Sequence, residues 1–417
     1  MLTSSKHFLR TLSIAAALVL VTGCDFDISL EPSNGCLMSC DGGWGDPNGY
    51  AVSFEALPTP VAGAHAFTSI SAGTRHTCGI VNDDTWCWGE RDVGTAAYQT
   101  VAAPYAVTGT SGIAAVSAGL SLTCGTRTDG RALCWGVNTA GEAGTGTLGP
   151  SWTPTPVNTP HALASISVAS ARTWGPSHAC ALTADGVAYC WGDNYLGQLG
   201  NGTTSSSLVP VAVSGGHQFE SISLGGQFTC GIARGGDAYC WGMASDGRLG
   251  DDPAKAGNCA PPGSGALLQC STIPRPVTGG IDFTAISAGN AFVCALDGDG
   301  RAYCWGVNFS GQLGQVPSSG RFTPTLIADS PRFTAIDAGG GHVCALTTER
   351  DVMCWGYNGL GQLGDGTTLP RYRPTKISST AAFSAITVGD DHACALTVGG
   401  GAYCWGSNEA TKLGKGS

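Results

Sequence analysis

Downstream of residue 57 the chain is written in short runs of alternating apolar and polar residues, each closed by a turn. One stretch shows the plan. Phe283-Thr284-Ala285-Ile286-Ser287-Ala288-Gly289 is followed by Val293-Cys294-Ala295-Leu296, a Gly298-Asp299-Gly300 turn, and Ala302-Tyr303-Cys304-Trp305-Gly306. A glycine-rich loop, Asn308 to Gly314, and a proline-led run, Pro324 to Ile327, end the unit. Period-two runs of this length between Gly, Asp and Asn signals predict strands. The unit therefore predicts four short antiparallel strands. It recurs seven times, marked by Cys-Trp-Gly triplets with Trp at 88, 135, 191, 241, 305, 355 and 405.

A single unit of this kind leaves two apolar faces uncovered, and stacking around an axis buries both. The order of strands also predicts a closed ring. The last unit stops near Leu413-Gly414 without its fourth strand, and an orphan fourth strand, Leu57 to Val61, stands at the start. The expected fold is all-β: a seven-bladed β-propeller of four-stranded antiparallel blades over residues 57–417, with the N-terminal strand completing the last blade. Composition agrees. Of 417 residues 64 are Gly and 21 Pro, suited to many tight turns, while 12% charged and 42% hydrophobic residues exclude a disordered polymer.

The runs Ser-Ala-Gly-x-x-His-x-Cys-Ala-Leu, Asp-Gly-x-Ala-Tyr-Cys-Trp-Gly and Asn-x-x-Gly-Gln-Leu-Gly resemble the regulator of chromosome condensation repeat. That resemblance covers about residues 57 to 417 and implies the same seven-bladed ring. Gly-Gln-Leu-Gly is intact at 197–200, 311–314 and 361–364, drifts at 141–144 and 247–250, and is largely lost in the first and last units.

Each unit carries two Cys flanking its hairpin turn: Cys78 and Cys87, Cys124 and Cys134, Cys180 and Cys190, Cys230 and Cys240, Cys294 and Cys304, Cys344 and Cys354, Cys394 and Cys404. A three-residue loop at Ala184-Asp185-Gly186 places Cys180 opposite Cys190, close enough for a cross-strand disulfide. A zinc site is the competing reading, but two Cys without nearby partners would leave it half filled. Cys259 and Cys270 bracket an insertion at 251–272 and are expected to bridge. Cys36 and Cys40 are left, with their pairing open.

The N-terminus sets the compartment. Lys6 and Arg10 precede an apolar run, Ile14 to Val21, and Val21-Thr22-Gly23-Cys24 follows. This is an export signal, and the run is too short for a membrane-spanning helix. It resembles the lipobox of bacterial lipoproteins, which implies a signal peptide over 1–23, cleavage before Cys24 and acylation of that residue. Residues 24–56, rich in Asp, Gly, Pro, Asn and Ser, are expected to be a flexible tether. The expected location is the bacterial cell envelope, lipid-anchored to a membrane and either periplasmic or surface-exposed. Such a compartment permits disulfides.

Charge narrows the partners. Thirty Asp plus Glu against 20 Lys plus Arg give −10, and loss of Lys6 and Arg10 gives 18 − 30 = −12. An acidic chain without a basic block is not expected to bind nucleic acid. The family's nucleotide-exchange role also transfers poorly to an exported chain.

Catalytic candidates fail one by one. His76, His178, His342 and His392 stand two residues before a unit's first Cys, where other units have Leu122, Phe228 and Phe292. A position that accepts His, Leu or Phe is a packing position. Gly144 to Gly149 matches the dinucleotide glycine pattern without a strand before it or a helix after it. The pairs Asp251-Asp252 and Asp390-Asp391 read as solvated loop residues. No enzyme, cofactor or metal is expected.

The insertions carry more. Loops after strands one and three open on one end of the ring, and three depart from the repeat there: 169–177 with Trp174, the second unit's loop with Trp152, and 251–272. Trp152 and Trp174 are the candidate binding anchors. The leading expectation is a non-enzymatic monomer that binds a protein, peptide or glycan through this face. The alternatives are an enzyme inhibitor, since secreted β-lactamase inhibitors have similar propellers, and a propeller lyase or hydrolase.

Overall fold

The computed structural model describes residues 53–91, 99–170, 177–260 and 267–416. Seven antiparallel sheets stand in a ring. Five have four strands in sequential order, the last has three sequential strands and the N-terminal strand, and the fourth sheet has five. The innermost strands, from Ser69–Ala72 in blade one to Phe383–Val388 in blade seven, touch one another around the axis, and the first and last of them meet.

Closure is by the N-terminal strand. Phe54–Pro60 pairs with Ala402–Ser407, with Pro60 opposite Tyr403 and Phe54 opposite Ser407. The strand therefore begins at Phe54, inside the stretch expected to be tether. Outer strands carry Pro at equivalent places, Pro58, Pro104, Pro154, Pro210, Pro274, Pro324 and Pro374. A missing N–H there blunts the exposed edge of each blade.

Two rings of contacts lock the blades near the axis. Hydroxyls ending the inner strands bond across to the next blade's N–H: Ser71 Oγ accepts from Ala118 N at 2.9 Å, Ser117 from Val168 and Ser287 from Ala338, both at 3.0 Å. Thr387 accepts from Ala72 at 3.0 Å and so joins blade seven to blade one. Asp337 replaces the hydroxyl in blade six; it accepts from Val388 N at 2.7 Å and from Ser287 Oγ at 2.7 Å. Burial pushes the Asp337 carboxyl pKa up. The following glycines form the second ring. A Cβ on Gly339 would collide with the Gly389 carbonyl, and one on Gly389 with the Gly73 carbonyl.

The triplet tryptophans fill the blade junctions. Trp191, Trp241, Trp305, Trp355 and Trp405 are fully buried. Each donates Nε1–H to a loop carbonyl of the preceding blade, for example Trp241 to Gln198 at 2.9 Å and Trp405 to Gln362 at 3.0 Å.

A disulfide crosses the central hairpin of every blade. Cys78 is joined to Cys87, Cys124 to Cys134, Cys180 to Cys190 and Cys230 to Cys240. Cys294 is joined to Cys304, Cys344 to Cys354 and Cys394 to Cys404. In each pair the two residues are direct cross-strand partners, with Cα–Cα separations of 4.0 to 4.2 Å. Every bonded sulfur is thereby spent inside its own blade, which leaves no hairpin thiolate for the competing zinc reading. Thr183 N–H donates to Val187 O at 3.0 Å, closing the Ala184-Asp185-Gly186 loop with Gly186 at φ +89°. Blade one differs. Its turn is Asn82-Asp83, both at positive φ, and Cys78 and Cys87 are nine residues apart, where the other hairpin pairs are ten apart.

The fourth blade corrects the four-strand expectation. Its insertion adds Gly257–Cys259 alongside Leu268–Pro276, and a disulfide from Cys259 to Cys270 joins the two. Leu196 of blade three packs beneath that disulfide. The extra strand escaped the sequence reading because residues 251–260 show no alternation.

Candidate functional site

One end of the ring carries the loops that leave strands one and three. Its turns are fixed by side chains that the Asn-x-x-Gly-Gln-Leu-Gly run supplies. Asn194 Oδ1 accepts from Leu199 N at 2.9 Å, and its Nδ2 donates to Thr203 O and Ser205 O, both at 3.0 Å. Asn308 and Asn358 repeat the arrangement in blades five and six. The Gln side chain folds back, so that Gln312 Oε1 accepts from Ser310 N at 2.9 Å. Backbone polar groups that would otherwise need water are satisfied inside the turn, and the loop is rigid for that reason.

Rigid turns hold exposed aromatics. Tyr195 and Phe309 each follow the pinning Asn, and Phe309 is 70% exposed. Blade six has Gly359 at that position, and the half-exposed Tyr357 lays its ring and hydroxyl over it. Leu148, Val316 and Leu369 are exposed on the same loops. The opposite end is different. Its hairpin turns hold ion pairs, Asp129 with Arg131 and Asp297 with Arg301, both at 2.6 Å, and Asp351 with Lys376 at 2.7 Å. In the loops of blades two and three on the aromatic end the only acids, Glu142 and Asp193, are buried. Burial raises the Asp193 pKa to about 6 against the hydrogen bonds it accepts.

The four histidines sit between blades. His76 Nε2 is 2.7 Å from Thr123 Oγ1, His178 Nε2 2.8 Å from Thr229 Oγ1, and His392 Nε2 2.8 Å from Thr77 Oγ1, always on the next blade. Desolvation lowers their pKa values, to about 4 for His76 and His342, about 3 for His178, and well below the usual value for His392. They are neutral packing groups.

The paired aspartates are a correction. Asp251 is buried and pairs with Arg275, and Asp391 pairs with the fully buried Lys412, which also donates to Thr74 O at 3.3 Å. Asp251 and Asp391 are not freely solvated, because Lys412 occupies the place of the turn's Gln and Arg275 leans over the insertion, whereas Asp252 is exposed as expected. Among the described residues, no cluster of His, Cys, Asp and Glu could hold a metal.

Trp152 also differs from expectation. It is the second residue of the outer strand Ser151–Pro156 and is half-buried. It aligns with Leu208, Thr272, Phe322 and Tyr372, each two residues before a proline. Leu208, Phe322 and Tyr372 lie against a turn glycine of the preceding blade, at Gly141, Gly247 and Gly311. Trp152 thus belongs to the repeat and not to an insertion. Trp174, Cys24, Cys36 and Cys40 lie outside the described residues.

Residues 170–417, more than half the chain, match the family model of the RCC1-like domain. The chain belongs to the RCC1-like family. It is 28% identical over 261 residues to the ultraviolet-B receptor UVR8 of Arabidopsis thaliana, covering 60% of this chain and 55% of that protein. It is 28% identical over 217 residues to the human probable E3 ubiquitin-protein ligase HERC6, covering 48% of this chain and 18% of that one. The RCC1-like chain thus spans about half of the plant relative and a small part of the human one. Among solved structures, human WBSCR16 superposes with a TM-score of 0.69 at 17% identity, covering 88% and 96% of the two chains. Prp20p of Saccharomyces cerevisiae, described with its binding to Gsp1p and histones, superposes with a TM-score of 0.65 at 18% identity, covering 82% and 84%. At these identities the structures establish the shared propeller.

Proposed function

We propose that this RCC1-like chain is a non-enzymatic binding module that holds a protein partner on the end of the ring carrying Tyr195, Phe309 and Tyr357. The observation that carries the reading is segregation. Among the described residues the large exposed aromatics, Tyr195, Phe309, Phe322, Tyr357 and Tyr372, all stand on the turns or outer-strand starts of one end, and none stands at the other. Aromatics on a rigid frame lose little entropy on docking and make effective anchors. The partners named for Prp20p fit a protein-binding role. Acylation at Cys24 would hold the module at a membrane of the bacterial envelope, with residues 25–53 as the tether.

A photocrosslinking residue placed at 195 or 309, in the native envelope, should give discrete protein adducts, and one at 299 on the opposite end should not. Adducts from 299 alone would overturn the choice of face. Anchoring is checked separately. Labelled fatty acid should enter the wild-type chain and not Cys24→Ala, and equal labelling of both would overturn the lipid anchor.

A further inference from the structure

We infer that the docking surface is centred on the fifth and sixth blades and takes an acidic polypeptide segment bearing bulky apolar side chains; this rests on the face proposed above. Apolar exposure concentrates there. Phe309 and Val316 project from one turn, where Asn308 Nδ2 holds the Val316 carbonyl at 2.8 Å. Tyr372 of blade six lies against Gly311 of that turn, and Tyr357 and Leu369 continue the patch on the next one. Apolar side chains clustered this closely on a soluble surface mark an interaction site.

Charge selects the partner. Residues 307–327 and 357–375 together hold Arg321, Arg371 and Arg373 against one acid, Asp365, a net of 3 − 1 = +2 in a chain of −10. The corresponding stretches of blades two and three hold only buried Glu142 and Asp193. Asp365 is taken by Arg371 at 2.7 Å. Arg321 is exposed and pairs with no carboxylate among the described residues, while Arg373, also exposed, donates from Nη1 to Ala328 O at 3.0 Å. Their guanidinium forks suit carboxylates, and Arg beside aromatics is the composition of an interface anchor.

The probe is a phage-displayed library of random dodecapeptides panned on the whole folded protein, with the recovered peptides then titrated by fluorescence anisotropy. Recovered peptides should combine Asp or Glu with Phe, Leu or Trp. Phe309→Ala and Arg321→Glu should each weaken them about tenfold or more, added salt should weaken them further, and Tyr195→Ala should change affinity less than twofold. Recovery of basic or uncharged peptides, or of none, overturns the inference. Peptides lost with Tyr195→Ala but indifferent to Phe309→Ala overturn it and leave the face reading standing. Peptides indifferent to both overturn both. Sedimentation with phosphatidylglycerol vesicles that depends on Phe309, without any peptide binding, would make the patch a lipid contact and also overturn it.

Discussion

His342 offers a direct check on how the blades are joined. It is fully buried between blades six and seven, and neither ring nitrogen has a hydrogen-bond partner among the described residues. At three other junctions the imidazole meets a Thr hydroxyl on the next blade; here the equivalent residue is Ala393. Ala393→Thr should restore the missing bond. Thr77, Thr123 and Thr229 occupy the same place in the same ring, so the extra atoms fit the repeat. A net intramolecular hydrogen bond contributes about 1 kcal/mol, and satisfying a buried donor adds up to about 1–2 more. For a domain this large, each kcal/mol moves Tm by about 1–2 °C. Differential scanning calorimetry should therefore show a rise of about 1–6 °C. His342→Leu should also stabilise, because it recreates the Leu122–Ala179 pair that joins blades two and three. Combining the two should forfeit the gain, since a hydroxyl would then face a leucine. If Ala393→Thr lowers Tm, or raises it equally in the His342→Leu background, the imidazole–hydroxyl account of the junctions is wrong.

The same histidines make the ring acid-labile. Their folded pKa values lie below the ordinary 6.5, so the unfolded chain binds more protons as pH falls, and the stability held above pH 6.5 is lost down to about pH 4. Each costs about 2 kcal/mol at pH 5. Asp193, raised to about 6, has the opposite sign and offsets part of the loss. Urea midpoints should fall between pH 6.5 and 4, and the fall should shrink in His76→Leu; a flat profile would refute this. Lys412→Met removes the ammonium that pairs with Asp391 and should cost about 3–5 kcal/mol, read as lowered Tm, while a loss below about 1 kcal/mol would show that the pair does not hold the last blade to the first.

The ring was legible because its signals are local and repeated. Turn glycines, the Cys pair and Cys-Trp-Gly recur in each unit, and the missing fourth strand at the end matches the extra one at the start. The packing role of His76, His178, His342 and His392 was legible too, but not their partners. That signal lies one unit downstream, just before the Cys: Thr123 after His76, Thr229 after His178, Val293 after Phe228, Val343 after Phe292 and Ala179 after Leu122. It appears only when units are compared with an offset of one. Trp152 was misplaced for a related reason, since only the alignment of Ser151-Trp152-Thr153-Pro154 with Ser207-Leu208-Val209-Pro210 shows it to be a repeat position. Exposure of Phe309 and Tyr357 could not be read at all. It depends on which way a turn faces after Asn308 or Asn358 has pinned it.

These positions divide the work of the repeat. Residues before the Cys, the triplet Trp and the turn's Gln and Leu are buried and meet the neighbouring blade, so a change there is felt in the closure of the ring. The residue after the pinning Asn meets solvent, and blades two, three, five, six and seven carry Thr139, Tyr195, Phe309, Gly359 and Glu409 there. The pin fixes the backbone whatever that side chain is. Binding chemistry can therefore change blade by blade without loosening the ring, and the apolar, basic character of blades five and six is the kind of specialisation such a frame permits. Replacing Phe309 with Ala should leave Tm within about 1 °C, because surface substitutions away from packed features stay within about 0.5 kcal/mol.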